Sequence, residues 1–157
     1  MNVYSCNLCN YETFNSAIPL LDNISPHAHV PFQFSIHRMK EQNQSIDHHE
    51  YISEKIQLPL ELINHLERII SPSGKIISWN KSFENTRNKE MGELFPHKRS
   101  FLNNLSERTV DIADVFKDEY VDIKFEGSNS LKKVLPVFIS DLSYDNLEVS
   151  GGTDAML

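Results

Sequence analysis

From Val30 to His37 hydrophobic and polar residues alternate without a break. Val30, Phe32, Phe34 and Ile36 fall on one side; Pro31, Gln33, Ser35 and His37 fall on the other. A period of two predicts a half-buried strand. Pro31 then belongs at its first position or on a sheet edge, where a missing N–H is tolerated. An earlier strand is predicted from about Val3 to Tyr11, ending near Glu12, and residues 15–29, with Pro19 and Pro26, read as a loop. After a polar turn at 39–45, Ile46 to Ile52 predicts a third strand, paired with the second as a hairpin.

The period then changes. Leu62, Ile63, Leu66, Ile69 and Ile70 form a single stripe at helical spacing, which predicts a helix over 60–70. Pro59 suits its first turn, and Ser71-Pro72-Ser73-Gly74 stops it. Lys75 to Trp79 predicts a fourth strand. A helix from about Ser82 to Leu94 follows, ended by Pro96. Residues 108–111 suggest a short fifth strand, with Asp111 capping a helix to about Lys117. Gly127-Ser128-Asn129 reads as a turn, 130–138 as a short helix limited by Pro136, and 143–157 as a polar tail. The order implies one α/β domain with a mixed sheet: antiparallel strands 1–3, then a fourth strand after a crossover helix, flanked by helices. That crossover is expected to be right-handed if the third and fourth strands are parallel.

Composition narrows the function classes only slightly. The chain has 157 residues, is 39% hydrophobic and 24% charged, and carries a formal charge of -7. A bulk electrostatic attraction to nucleic acid is absent, although a carboxylate-rich metal site is acidic by construction. No apolar run nears the ~20 residues that span a bilayer, and no signal-peptide pattern opens the chain. No membrane partner is expected, and cytoplasmic residence is the default. Cys6 and Cys9 make no disulfide framework. With His27 and His29 they suggest zinc, but residues i and i+3 of a regular strand point to opposite faces.

The candidate chemistry lies where strands end in acids. Asn10-Tyr11-Glu12 closes the first strand, and Trp79-Asn80-Lys81-Ser82-Phe83-Glu84 runs from the fourth strand into a helix. Two-ion phosphoryl hydrolysis needs carboxylates converging on ions about 3.5–4 Å apart. Residues i and i+2 of a strand share a face, so an Asp-x-Glu pair can reach one cluster. Here the first member is Asn10, an uncharged oxygen donor. Taken singly, Glu12 reads as a solvated strand-end acid and Glu84 as a first-turn acid facing the helix dipole. Placed after two strands that could be sheet neighbours, they suggest a site. Lys98-Arg99 and Lys132-Lys133 read as surface charge, and His48-His49 as exposed strand or turn.

The chain resembles a bacterial family, domain of unknown function 2779, itself similar to the DEDD (DnaQ-like) exonucleases. The resemblance rests on Glu12-Thr-Phe-Asn-Ser-Ala-Ile-Pro19, Pro31-Phe-Gln-Phe-Ser-Ile-His37, Trp79-Asn-Lys-Ser-Phe-Glu84, Arg108-Thr-Val-Asp111, Ser130-Leu-Lys-Lys-Val-Leu-Pro136 and Ser143-Tyr144-Asp145. It implies a ribonuclease-H-like fold, a two-ion Mg²⁺ or Mn²⁺ site, and 3′–5′ hydrolysis of nucleic-acid ends. The Asp-x-Glu-Thr motif falls on Asn10, Glu12 and Thr13; the Asn-x-x-Phe-Asp/Glu motif falls on Asn80, Phe83 and Glu84. The resemblance thus implies Glu12 and Glu84 as catalytic metal ligands, with Asn10 in place of a third. Thr13, Phe14, Asn80 and Asp111 would support the site or substrate. The third motif, Tyr-Cys-x-x-Asp, has no counterpart before Leu157. The expectation is therefore an impaired nuclease domain, C-terminally incomplete, whose remaining segment belongs to a longer nuclease chain. The alternatives are a non-catalytic nucleic-acid- or protein-binding module, or a gene remnant.

Overall fold

A computed structural model describes residues 6–39 and 45–139. The N-terminal residues 1–5, the middle of the predicted polar turn and the predicted tail lie outside them. The chain forms two compact units, residues 1–110 and 111–157.

The first unit is built on a sheet. Strand β1 (Cys6–Phe14) pairs antiparallel with β2 (Val30–Met39), which pairs antiparallel with β3 (Asp47–Ile52). Strand β4 (Lys75–Ser78) lies on the other side of β1 and runs parallel to it, and β5 (Thr109–Asp111) completes the order β3-β2-β1-β4-β5. The mixed sheet, with antiparallel strands 1–3, is as the sequence predicts. The parallel neighbour of β4 is β1, not β3. The hairpin places β1 beyond β2, so β1 carries the free edge that the crossover reaches.

Strand β1 extends through Glu12 to Phe14, past its predicted end, because β2 offers partners that far. The register slips between Glu12, opposite Gln33, and Thr13, opposite Pro31. Phe32 is the extra residue of a bulge. Pro31 is therefore second in its strand; it sits at the bulge and past the last rung to β3, Gln33 opposite Ile52, so that only β1 flanks it and its place is locally an edge.

Helix α1 (Leu60–Ile69) follows the predicted stripe and buries Leu62, Ile63 and Leu66. Each such side chain contributes about 1.5–3 kcal/mol by leaving water. Helix α2 (Lys81–Leu94) is unlike it, for its buried face holds Glu84, Arg87 and Asn88 as well as Met91. A short 3₁₀ turn at Pro96–Lys98 leads into α3 (Arg99–Arg108), which buries Leu102 and Leu105. Helix α3 lies outside the predicted elements; its signal is Phe101, Leu102 and Leu105 at helical spacing. Tyr11, Phe34, Ile36 and Ile76 from the sheet form one core with the apolar faces of these three helices. The helices thus cover the sheet face bearing Tyr11 and Phe34. Directly paired residues share a face, so Asn10, Glu12, Gln33, Ser35, His37, His48 and Glu50 lie on the opposite one.

In the second unit, Asp111 Oδ1 accepts the N–H of Ala113 at 3.0 Å, but the helix expected to run from it to about Lys117 is a π-helical turn whose cap position is Asp114. A π-helical turn spans Val115–Glu119 and a 3₁₀ turn Ile123–Phe125. Left-handed Glu126 and Gly127 (φ 54° and 75°) make the predicted turn toward α4 (Leu131–Phe138). Pro136 lies inside α4 rather than ending it. It removes one backbone donor, and the helix stops two residues later. Phe116, Tyr120, Phe125 and Phe138 cluster with ring centroids 5.4–6.4 Å apart. No helix among the described residues is long and apolar enough to cross a membrane.

Candidate functional site

The parallel ladder between β1 and β4 runs from Cys6 opposite Lys75 to Leu8 opposite Ile77. Strand β4 then ends at Ser78, while β1 continues. Beyond that point α2 takes the place of β4. Asn80 starts it, its Oδ1 accepting the N–H of Phe83 at 3.3 Å, an N-cap that satisfies one of the helix's orphan donors. Ser78 Oγ accepts the N–H of Asn80 at 3.1 Å and fixes the entry. The first turn so placed carries Glu84 to the edge of β1.

Glu84 Oε1 accepts the backbone N–H of Tyr11 in a long bond, 3.4 Å. The side chain is buried, with the residue only 5% exposed, and Oε2 has no hydrogen-bond partner. Burial raises the pKa of Glu84 from 4.5 to about 8; the Tyr11 N–H opposes the rise, the Glu12 carboxylate adds to it, and Arg87 opposes it. A cavity of ≈ 10 Å³ beside Glu84, lined by Tyr11, Ser78, Asn88 and Thr109 among others, has room for about one water. One turn on, Asn88 Oδ1 accepts the Tyr11 hydroxyl at 2.9 Å, and Asn88 Nδ2 donates to Ser106 Oγ at 3.2 Å.

Asn10 is exposed and Glu12 half-buried. The Asn10 Nδ2 group donates to Glu12 Oε1 at 3.5 Å. Thr13 is buried and its Oγ1 lies 2.9 Å from His29 Nδ1. The His29 ring meets Phe83 edge-on at 6.0 Å, and the Arg87 guanidinium lies 4.9 Å from the Phe83 centroid. Arg87 in turn pairs with Glu90 at 2.7 Å. Phe14 packs against Phe32, centroids 6.5 Å apart. Asp111 belongs to the second unit, where its carboxylate caps Ala113 and lies 3.9 Å from Lys117 Nζ.

The sheet thus makes neighbours of β1, which bears Glu12, and β4, the strand that leads into the helix bearing Glu84, as their motif positions suggest. Neither motif specifies Tyr11, His29, Arg87 or Asn88. Asn88 could have been found from its i+4 spacing to Glu84, which sets both on one helix face.

The donor set does not amount to a two-ion centre. It offers two carboxylates, one of them buried with its pKa raised, and an amide whose N–H₂ is turned to Glu12. Among the described residues no three His, Cys, Asp or Glu side chains are grouped to hold a metal.

The match to known proteins covers this same stretch. The chain belongs to the family described as Domain of unknown function (DUF2779), whose model matches residues 8–130. That span contains Asn10, Glu12, Glu84 and Asp111. The chain is also 30% identical, over a 170-residue alignment, to the uncharacterized protein UU173 of Ureaplasma parvum. The alignment covers 91% of this chain and 24% of that protein, so the chain spans about a quarter of its relative's length. No solved structure matches the chain.

Proposed function

We propose that this chain is a ribonuclease-H-like domain of the DEDD exonuclease type whose ion site is incomplete, so that hydrolysis of nucleic-acid ends is impaired. The observation that carries the reading is the meeting of Glu84 with the Glu12-bearing strand at the carboxyl ends of two adjacent parallel strands. In α/β sheets that crevice, where the strand order changes direction, is the usual place for a ligand. The antiparallel β1–β3 arrangement and the crossover to β4 support the same fold.

Asn10 accounts for the impairment. An aspartate there would add a charged oxygen donor on the same face as Glu12. At an effective dielectric of about 20, a unit charge a few Å from a divalent ion is worth several kcal/mol before hydration is subtracted. The two remaining acids would hold Mg²⁺ or Mn²⁺ only weakly, and ion binding must first deprotonate Glu84. The partner implied is a nucleic-acid end, DNA or RNA.

The same missing acid favours a second reading, a non-catalytic module that keeps the fold to bind nucleic acid or protein. Mn²⁺ titration by calorimetry, with cleavage of end-labelled single-stranded DNA and RNA, tests both. Restoring the charge by Asn10→Asp is expected to tighten Mn²⁺ binding about tenfold or more, while the unaltered chain cleaves neither substrate above background. Unchanged Mn²⁺ binding in Asn10→Asp would remove the ion-site reading. Efficient Mn²⁺-dependent cleavage by the unaltered chain, abolished by Glu84→Gln, would overturn both the impairment and the non-catalytic module.

A further inference from the structure

Strand β3 ends the sheet order, and among the described residues no strand pairs with its outer side. Its ladder with β2 runs without a bulge from Gln33 opposite Ile52 to Arg38 opposite Asp47. Just past the last rung, the Ser53 N–H donates to Phe32 O at 2.8 Å. Backbone groups alternate sides along a strand. Asp47, His49 and Tyr51 therefore turn theirs to β2, and His48, Glu50 and Ile52 turn theirs outward. Sheet edges are commonly blunted by Lys, Pro or a bulge. Strand β3 has none of these.

The side chains of this outward set share a face, the one away from the helices. Ile46, one step before the strand, continues their row, which reads Ile46, His48, Glu50, Ile52. The two isoleucines are 60% and 61% exposed, and His48 and Glu50 are exposed as well. The His48 ring is held in place: it stacks on His37 at 4.4 Å, and its Nε2 lies 3.2 Å from Ser35 Oγ.

We propose that β3 pairs antiparallel with β3 of a second copy of this chain, joining two sheets into one about a two-fold axis at His49. That register sets His48 opposite Glu50 of the other copy, and Glu50 opposite its His48. Ile46 and Ile52 meet in the same way and take each other out of water. All of these residues present outward backbone groups, so each opposed pair can exchange N–H···O bonds. Opposed Cβ atoms stand about 4.5–5.5 Å apart, within reach of an imidazole and a carboxylate. The row is thus self-complementary, as a two-fold contact requires. In the neighbouring registers that the outward groups allow, His48 faces His48 or Glu50 faces Glu50, and the match of opposite characters is lost. A single strand pair is a small contact, so the dimer is expected to be weak, dissociating at roughly 10–100 μM.

Sedimentation velocity of the unaltered chain from about 5 μM to about 500 μM tests this, with circular dichroism to check the folding of each variant. A monomer–dimer equilibrium is expected, and amide exchange at His48 and Glu50 should slow as the dimer forms. Glu50→Lys sets an ammonium opposite His48 and should weaken the dimer about tenfold or more. Glu93→Lys, the same charge change on α2, should leave it unchanged. Glu50→Pro removes an outward N–H, spares the ladder to β2 and should abolish the dimer. His48→Glu combined with Glu50→Lys sets acid opposite base again and should recover it. Should Glu50→Pro fail to fold, Glu50→Lys and the double variant decide. A chain that stays monomeric throughout overturns the proposal, and the edge is then open to a strand of another protein. A dimer that survives Glu50→Lys and Glu50→Pro overturns it too, as does a double variant that recovers nothing.

Discussion

The backbone N–H of Tyr11 and the carboxylate of Glu84, 73 residues apart in sequence, are joined across 3.4 Å where β1 outruns β4. The bond occupies Oε1 and leaves Oε2 buried and unpaired. A charge held there would be costly, since a buried carboxylate with incomplete hydrogen bonding is disfavoured relative to its neutral form.

It follows that the stability of the fold depends on pH through Glu84. The folded pKa is raised to about 8 from an unfolded value of 4.5, so the folded state binds more protons across that window. The contribution of Glu84 to stability is therefore greatest below about 4.5, falls as pH rises toward 8, and levels off above it, a loss on the order of a few kcal/mol. Glu84→Gln, a neutral isostere, is expected to abolish this slope and to be as stable as the unaltered chain at pH 6 or somewhat more so. Urea denaturation between about pH 5 and about pH 9 checks it. An unchanged slope in Glu84→Gln would assign the dependence to another group.

Tyr11→Phe isolates the neighbouring contact. The hydroxyl donates to Asn88 Oδ1 at 2.9 Å, and Asn88 is 4% exposed. Removing the donor leaves a buried amide oxygen unsatisfied, which costs about 1–3 kcal/mol. The ring itself keeps its place in the core. Chemical denaturation should show the midpoint falling with an unchanged m-value, and Asn88→Ala in the same background should lose less than it does alone, because the two groups are one interaction.

How far these features could be read from sequence differs element by element. Helix α1 was legible because one apolar stripe is the whole of its buried face. Helix α2 was placed by its start and Pro96, since its buried Glu84, Arg87 and Asn88 give no apolar period. Helix α3 went unread; only three apolar residues, Phe101, Leu102 and Leu105, mark its face among polar neighbours. Glu12 stood out as an acid at a strand end and Glu84 as a first-turn acid of the helix that follows β4, whereas the cap at Asn80 had only its residue type as a signal. The burial of Glu84 was not legible. It depends on Tyr11 from β1 and on the helices closing over it, a long-range packing that no local spacing encodes. The pairing of β4 with β1 rather than β3 is likewise set by the hairpin as a whole.

Asn80 separates a structural role from a supporting one at the site. Its Oδ1 caps α2 through the Phe83 N–H. Asn80→Ala is expected to cost about 0.5–2 kcal/mol, and Asn80→Asp, which keeps the cap oxygen and adds negative charge at the helix N-terminus, about nothing or a slight gain. Thermal unfolding of both variants measures this. Equal destabilisation by both would place the importance of Asn80 in its N–H₂ group rather than in the cap.

Arg108 ties the end of α3 to the turn between α1 and β4. Its Nη1 donates to the carbonyls of Ser71 and Gly74, both at 3.1 Å, and its Nε to Asn104 O at 3.4 Å. Gly74 has φ 101°, a conformation closed to most side chains, so the turn cannot readily rearrange to find other donors. Hydrogen bonds from a charged donor are worth about 1.5–3 kcal/mol when they are shielded from water, and less at this half-buried position. Arg108→Ala should therefore lower stability by about 1–2 kcal/mol. Arg108→Lys should recover only part of it, because an ammonium lacks the planar fork that keeps three carbonyls in reach. Hydrogen exchange should rise locally at Lys75–Ser78, the strand that the turn feeds. Protection of β4 that is unaltered in Arg108→Ala would show that the β1 ladder alone holds that strand, and that the Arg108 contacts are incidental to the placement of Glu84.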